Sequence, residues 1–254
     1  MADVRFRVWR GNASSGAFVD YDVPVTEGWV VLDAIHWIQA QLQNDLAVRW
    51  NCKAGKCGSC SAEINGKPRL MCMSRIEDCV IDGTITVQPM ATFPPVKDLV
   101  TDVAWNYTVN QRIPPLAPKP PEADGTWRMQ PYDVDRVQEF RKCIECFLCQ
   151  DVCHVLRDHQ TWAFGGPRFM VRTASLEMHP LDTGSRLALL RDARDGLGLG
   201  YCNITKCCTE VCPEGIHITD NAIIPLKERV VGEYFDPLAR GLTRILGWTR
   251  EPRT

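Results

Sequence analysis

The chain has 254 residues, enough for one large domain or two ordinary ones. Its 29 Lys+Arg against 31 Asp+Glu leave a formal charge of -2, without the basic surplus that a nucleic-acid partner asks for. Hydrophobic residues at 45% and charged residues at 24% exclude wholesale disorder, and 13 cysteines, all between Cys52 and Cys212, demand a chemical reason. The first residues, MADVRFRVWRG, lack the apolar core of a signal peptide, and the cysteine count is odd. Metal-bound thiolates in a reducing compartment are therefore expected rather than disulfides. No stretch reaches the ~18 apolar residues of a spanning helix, so no transmembrane helix is expected.

In chain order, Val4, Phe6 and Val8 alternate with Arg5, Arg7 and Trp9 and predict a first strand. Ala17 to Val25 predicts a second, forming a hairpin across the Gly11 to Gly16 loop. Thr26 offers an N-cap with Glu27 in the first turn, and Val31, Ile35, Ile38 and Leu42 predict an amphipathic helix ending near Asn44. Asn65-Gly66 and Asp82-Gly83 are tight-turn signals between strand-like runs, so residues 1–95 read as an α+β domain. Proline pairs at Pro94-Pro95, Pro114-Pro115 and Pro120-Pro121 mark an extended connector over residues 96–131, with one short helix from Val96 to Tyr107. Residues 132–254 read as helical: Asp133 caps Val134 to Ile144, Leu187 to Arg194 is short, and Thr219 to Glu233 is interrupted at Pro225. At the end, Leu238, Leu242, Ile245, Leu246 and Trp248 alternate with Arg240, Arg244 and Arg250. Such a basic amphipathic stretch suits an anionic membrane surface, a partner subunit, or packing on its own domain.

The cysteine spacings carry the chemistry. Cys52, Cys57, Cys60 and Cys72 form C-x4-C-x2-C…C, the plant-type [2Fe–2S] spacing, with Gly55 and Gly58 letting the loop wrap closely around sulfur. Zinc held by four thiolates is the alternative reading. Cys143, Cys146, Cys149 and Cys153 form C-x2-C-x2-C-x3-C, and Cys208 to Cys212-Pro213 repeats its tail. In two-cluster ferredoxins the fourth cysteine of each run ligates the other run's cluster. By that rule Cys143, Cys146 and Cys149 share a [4Fe–4S] cluster with Cys212, and Cys153 crosses to Cys202 and Cys208. In the third group the second template position is Thr205, which leaves a site one thiolate short and predicts a [3Fe–4S] cluster. Cys79 reads as a small buried side chain. Cys207 reads as a bystander two residues off the template position, with the missing corner ligand as its other reading.

Taken together, CKAGKCGSCSAEINGKPRLMC, CIECFLCQDVC and the C-x5-C-x3-C-P tail from Cys202 resemble the iron–sulfur subunit of succinate dehydrogenase and fumarate reductase. The resemblance implies a β-grasp plant-type ferredoxin domain followed by an all-α, bacterial-ferredoxin-like domain. It also implies an electron wire of the tricarboxylic acid cycle and respiratory chain. Electrons would leave the FAD of a flavoprotein subunit that oxidises succinate, pass through the [2Fe–2S], [4Fe–4S] and [3Fe–4S] centres, and reach a quinone at a membrane-anchor subunit. The chain would then sit peripherally on the cytoplasmic face of the cell membrane. Where familiar members follow the second cysteine run with proline and a tryptophan, this chain has His154-Val155-Leu156-Arg157-Asp158-His159, then Trp162. Asn203 stands where histidine is frequent. The resemblance thus implies a rearranged quinone pocket, with His154, Arg157, Trp162, Asn203 and Thr205 as candidate contacts and His159 as a weaker one. The competing readings are fumarate reduction with the same wire, service to another flavoenzyme, and a zinc-stapled interaction module.

Overall fold

Strand β1 (Asp3–Gly11) turns Val4, Phe6 and Val8 into the core, as its alternation requires. The computed structural model that shows this describes residues 3–237, so the amphipathic stretch from Leu238 to Arg250 lies outside the described residues. Strand β2 (Gly16–Pro24) returns antiparallel, with Gly11 opposite Gly16. Helix α1 (Val31–Gln41) buries Val31, Leu32, Ala34, Ile35 and Ile38. It starts later than the expected cap at Thr26. The Thr26 carbonyl instead accepts the Trp29 N–H at 3.1 Å in a turn containing Gly28 at φ 81°. Asp33, in the first turn, accepts the Val30 N–H at 3.1 Å and supplies the cap from inside the helix.

Strands β3 (Ser61–Ile64) and β4 (Lys67–Leu70) are joined at Asn65-Gly66, both left-handed as a tight hairpin requires. The short helix α2 (Ile76–Cys79) and the Asp82-Gly83 turn lead into β5 (Thr84–Gln88). The sheet order is β2-β1-β5-β3-β4, with β1 and β5 parallel, so the first and last strands of the unit lie side by side. A mixed sheet with one helix packed on it is the β-grasp arrangement.

The next segment differs from the expected single helix. It makes a hairpin of β6 (Pro95–Lys97) and β7 (Val100–Thr101) before helix α3 (Ala104–Gln111). Asp98 is the reason. Its φ of 48° is not helical, and its buried carboxylate accepts the Gly11 N–H at 3.0 Å and the Ala47 N–H at 2.9 Å while facing Arg10 Nε at 3.0 Å.

The remaining regular elements are helical apart from loops. Helix α4 (Pro131–Gln138) begins at Pro131, whose fixed φ suits a first turn, rather than behind Asp133, and tightens into a 3₁₀ turn at Glu139–Lys142. Then come α5 (Leu148–Asp151), α6 (His154–Arg157), α7 (Pro167–Glu177), α8 (Leu187–Arg191) and α9 (Cys207–Glu210). Helix α8 stops short of Arg194 because Asp192 is extended. A π-helical turn at Ile218–Ile223 precedes α10 (Ile224–Tyr234), and Pro225 sits in the first turn of α10, where the sequence expects the interruption. Phe164, Phe169, Met170, Leu190 and Leu226 lie in the middle of this second core.

Arg186 ties the proline-rich segment to the helices. It is 2% exposed, and it donates from Nε to the Pro114 carbonyl at 3.0 Å and from Nη2 to the Pro115 carbonyl at 2.6 Å. Its guanidinium also lies 2.8 Å from the Asp182 carboxylate. Arg186→Met should leave Asp182 buried without its cation and cost about 3–5 kcal/mol. Chemical denaturation of parent and variant checks this; an unchanged midpoint would mean the connector is held by other contacts.

Candidate metal centres

The first thiols lie on an irregular loop between α1 and β3. Gly55 and Gly58 adopt left-handed φ of 67° and 68°, and the loop turns its backbone toward sulfur. The N–H groups of Ala54 and Lys56 each donate to Cys52 Sγ at 3.3 Å. Such donors spread the charge of a metal-bound thiolate. Cys60 directly precedes β3 and Cys72 lies in the 3₁₀ turn after β4, close enough to each other to interact directly. Cys57 lies against Cys52. The four are therefore gathered as their spacing implies.

Burial of Cys57 works against its thiolate, but hydrogen bonds from the Ser59 hydroxyl and from backbone groups outweigh it, bringing the thiol down to about 6. Burial pushes neighbouring Cys60 up to about 12.

The second and third groups repeat one backbone pattern. Glu145 and Phe147 are left-handed, at φ 56° and 60°, just before α5; Ile204 and Lys206 are left-handed, at φ 62° and 65°, just before α9. In this register Cys143 matches Cys202, Cys149 matches Cys208 and Cys153 matches Cys212, while Thr205 falls where Cys146 stands and Cys207 where Leu148 stands. Cys143, Cys146, Cys149 and Cys212 line one narrow recess. Cys153, Cys202 and Cys208 line another, with Cys207 on its wall. The structure thus brings Cys212 to the second run and Cys153 to the third. Among the described residues no three His, Cys, Asp or Glu side chains form a site for a single metal ion.

Burial raises the thiols of both recesses: Cys146 and Cys153 to about 12, Cys208 to about 11, and Cys149 well upward. Cationic iron would offset that burial. Two further features fit an anionic thiolate cluster. Arg168 lines the first recess with its Nε buried and unpartnered, and the Ile216 N–H donates to Cys212 Sγ at 3.4 Å. Arg168 also contacts Glu145 and favours the Cys143 thiolate, although burial dominates there and raises the thiol.

The candidate quinone residues divide. His154, Asn203 and Thr205 line the second recess, Thr205 Oγ1 lies 3.5 Å from His154 Nδ1, and His154 Nε2 is buried without a partner. His159 stacks edge-on against His154 at 5.9 Å. Arg157 faces elsewhere: it forms a forked pair with the fully buried Glu63 of β3, at 2.6 and 3.4 Å. Trp162 packs edge-on against Trp105 at 4.8 Å. Cys79 is buried, with Arg69 donating to its sulfur at 3.6 Å, and Cys207 Sγ lies 3.3 Å from Thr205 Oγ1.

Sequence reasoning missed the seam between the two units. Ser61 Oγ lies 2.9 Å from the Cys146 carbonyl, and Asp151 accepts the Thr92 N–H at 3.0 Å. Cys146, Phe147 and Leu148 complete the core of the β-grasp unit. All four residues of β3 are buried, so no alternation marks Glu63 as an inward acid.

Two ferredoxin-type units that gather thiols in three places define an iron–sulfur electron-transfer protein. Comparison with known proteins agrees. Residues 5–107 match a 2Fe-2S iron-sulfur cluster binding domain, and residues 139–216 match a 4Fe-4S dicluster domain. The chain is 32% identical over 213 residues to the fumarate reductase iron-sulfur subunit of Mycobacterium tuberculosis, covering 80% of this chain and 82% of that one. It is 29% identical over 242 residues to the succinate dehydrogenase iron-sulfur subunit of Paracoccus denitrificans, covering 89% and 88%. A chain in the structure of the Mycobacterium smegmatis Sdh1 complex in the apo form superposes with a TM-score of 0.88 at 59% identity, over 93% of this chain and 99% of that one. The chain belongs to the iron–sulfur subunits of the succinate dehydrogenase and fumarate reductase family. Its role is electron transfer within a complex of several subunits, and its cofactors are [2Fe–2S], [4Fe–4S] and [3Fe–4S] clusters. Among the described residues no helix is long and apolar enough to cross a membrane.

In the cluster-free chain, Cys57 should be alkylated at pH values down to about 6, while Cys60 should stay protonated and slow at neutral pH. Ser59→Ala should move the Cys57 profile upward. Labelling with iodoacetamide across pH, read by mass spectrometry, checks both; equal rates at Cys57 and Cys60 at pH 7 would contradict the hydrogen-bond argument.

Proposed function

We propose that this chain carries electrons from the FAD of a flavoprotein subunit that oxidises succinate to a quinone at a membrane-anchor subunit, on the cytoplasmic face of the cell membrane. In this reading Cys52, Cys57, Cys60 and Cys72 hold the [2Fe–2S] cluster, and Cys143, Cys146, Cys149 and Cys212 the [4Fe–4S] cluster. Cys153, Cys202 and Cys208 hold the [3Fe–4S] cluster. The observation that carries it is the convergence of Cys212 on the second run, because a crossed ligand set is the signature of paired ferredoxin sites. The clusters supply one-electron transfer between two carriers, flavin and quinone, that each hold two electrons. Residues 1–95 and 132–254 are the two cluster-bearing units and 96–131 the connector.

The chain's own residues hold, insulate and orient. Backbone N–H groups at Ala54, Lys56 and Ile216 stabilise thiolate charge, and Arg168 offsets it from the side. Thr205 stands where a fourth thiolate would complete a cubane, and Cys207, in the place of Leu148, stays outside the ligand set. His154, Asn203 and Thr205 form the quinone-facing group, with His154 Nε2 able to donate to a quinone carbonyl. Arg157 and Trp162, engaged with Glu63 and Trp105, support the packing around it. The succinate direction is supported by the higher identity to the Sdh1 chain than to the M. tuberculosis fumarate reductase subunit.

Purification with native partners should give about nine irons per chain and a [3Fe–4S] signal in the oxidised state. A colourless protein without iron would instead favour the zinc reading. Cys212→Ser should remove the [4Fe–4S] signal and spare the [3Fe–4S] signal; the opposite pattern would reverse the crossed assignment.

His154→Ala should lower succinate-dependent quinone reduction while cluster content and reduction of an artificial acceptor stay at parent levels. A parent-like quinone rate would mean that the anchor builds the pocket by itself.

A further inference from the structure

We propose that electrons cross from the [2Fe–2S] to the [4Fe–4S] centre at one seam, where Gly58 and Ser61 meet the backbone of Cys146, with the Ser61 hydroxyl as the positioning group. The inference rests on the ligand sets given above. Gly58 lies between Cys57 and Cys60 in sequence, and Ser61 directly follows Cys60. A Cβ built on Gly58 would come 2.6 Å from Cys146 Cα and 2.9 Å from its N and Cβ. The loop bearing one ligand set is thus packed backbone to backbone against a ligand of the other, with no room for a side chain between them.

Ser61 adds a bonded link to that contact. Its Oγ lies 2.9 Å from the Gly58 carbonyl and 2.9 Å from the Cys146 carbonyl, in a setting where Ser61 is 7% exposed. A hydroxyl has one proton, shared between these two acceptors. The path from Cys60 through the Ser61 side chain to the Cys146 carbonyl consists of covalent bonds and one hydrogen bond. Electron tunnelling decays more slowly along such a path than across a gap between atoms that merely touch. One electron moves, so one centre is oxidised as the other is reduced; no bond breaks and no proton is transferred.

Among the described residues, the other polar contacts across the interface end on residues that are not themselves ligands; the pair that comes nearest to both ligand loops, Lys56 with Glu214, runs through a long, exposed lysine. Lys56 pairs with Glu214 at 3.1 Å, Arg157 with Glu63, and Thr92 with Asp151. Glu63 is two residues beyond Ser61 on β3, so its forked pair with Arg157 fixes the strand that presents the hydroxyl.

The test uses the whole complex with Ser61→Ala and Ser61→Thr. Rapid mixing with succinate, followed by freezing and electron paramagnetic resonance, reads each cluster's reduction in time. Microwave power saturation of the [2Fe–2S] signal reads its magnetic coupling to the neighbouring centre. In Ser61→Ala the [2Fe–2S] signal should appear at the parent rate, reduction of the [3Fe–4S] centre should lag behind it, and the coupling should weaken. Ser61→Thr, which keeps the hydroxyl, should restore both. Parent-like timing in Ser61→Ala with all clusters present overturns this inference alone. Loss of the [2Fe–2S] cluster from Ser61→Ala would make the hydroxyl a loop-closing group and overturn it as well. Retention of the [4Fe–4S] signal in Cys146→Ser would overturn the ligand reading, and the inference with it.

Discussion

Sulfur anions are expensive to bury, and this chain buries many of the cysteines that could become them. A thiolate away from water loses hydration, so burial raises the thiols of Cys146, Cys149, Cys153 and Cys208 far above their solution values. Left to themselves such groups stay protonated. Bound iron would supply the positive charge that makes them anions inside a protein, and the backbone donors and Arg168 would share what charge remains. The folding of both units serves this arrangement. Left-handed residues at Glu145, Phe147, Ile204 and Lys206 turn the chain ahead of two short helices, so that cysteines converge on each of two recesses, and Gly55 and Gly58 turn the first loop. Regular helix or strand could not present three sulfurs to one point from so few residues.

The same demand explains why the two units dock rather than hang on a linker. Glu63 and Asp151 are fully buried at the junction, and only Arg157 and neighbouring polar groups compensate them. Burial, with Glu63 adding to it, pushes the Asp151 carboxyl up to about 7. Separating the units would hydrate these groups but expose Phe147 and Leu148, which complete the core of the sheet unit. The junction is therefore held by apolar packing and made specific by charge. Specific registration matters for a carrier whose rate depends on distance.

The cysteine runs made the ligand chemistry legible because each ligand is a distinctive residue at a fixed local spacing. The sheet was legible for a related reason: Val4, Phe6 and Val8 alternate, and Asn65-Gly66 and Asp82-Gly83 occupy left-handed turns. Helix starts were less legible. Thr26 has the chemistry of a cap but is spent on a turn, and Asp98 breaks an apparent helix by bonding to Gly11 and Ala47, partners remote in sequence. Arg157 shows the limit most clearly. Its place beside Cys153 suggested a role at the quinone end, yet its guanidinium reaches an acid from the other unit. Local patterns carry no information about such encounters; only the docked structure does.

The crossed grouping of thiols also imposes an order on the protein's manufacture. The sulfurs of Cys143, Cys146 and Cys149 leave the ribosome well before Cys212, which shares their recess. That site is unfinished until the last third of the chain has emerged, and so is the neighbouring one, which combines Cys153 with Cys202 and Cys208. The β-grasp unit has all four of its thiols by Cys72, so its set of sulfurs is complete first. A nascent chain thus presents one completed sulfur nest followed by half-built ones whose reactive groups lie open to oxidants. Early termination anywhere before Cys208 would leave both later nests short of a sulfur, turning a stretch of missing helix into the loss of the entire far end of the wire.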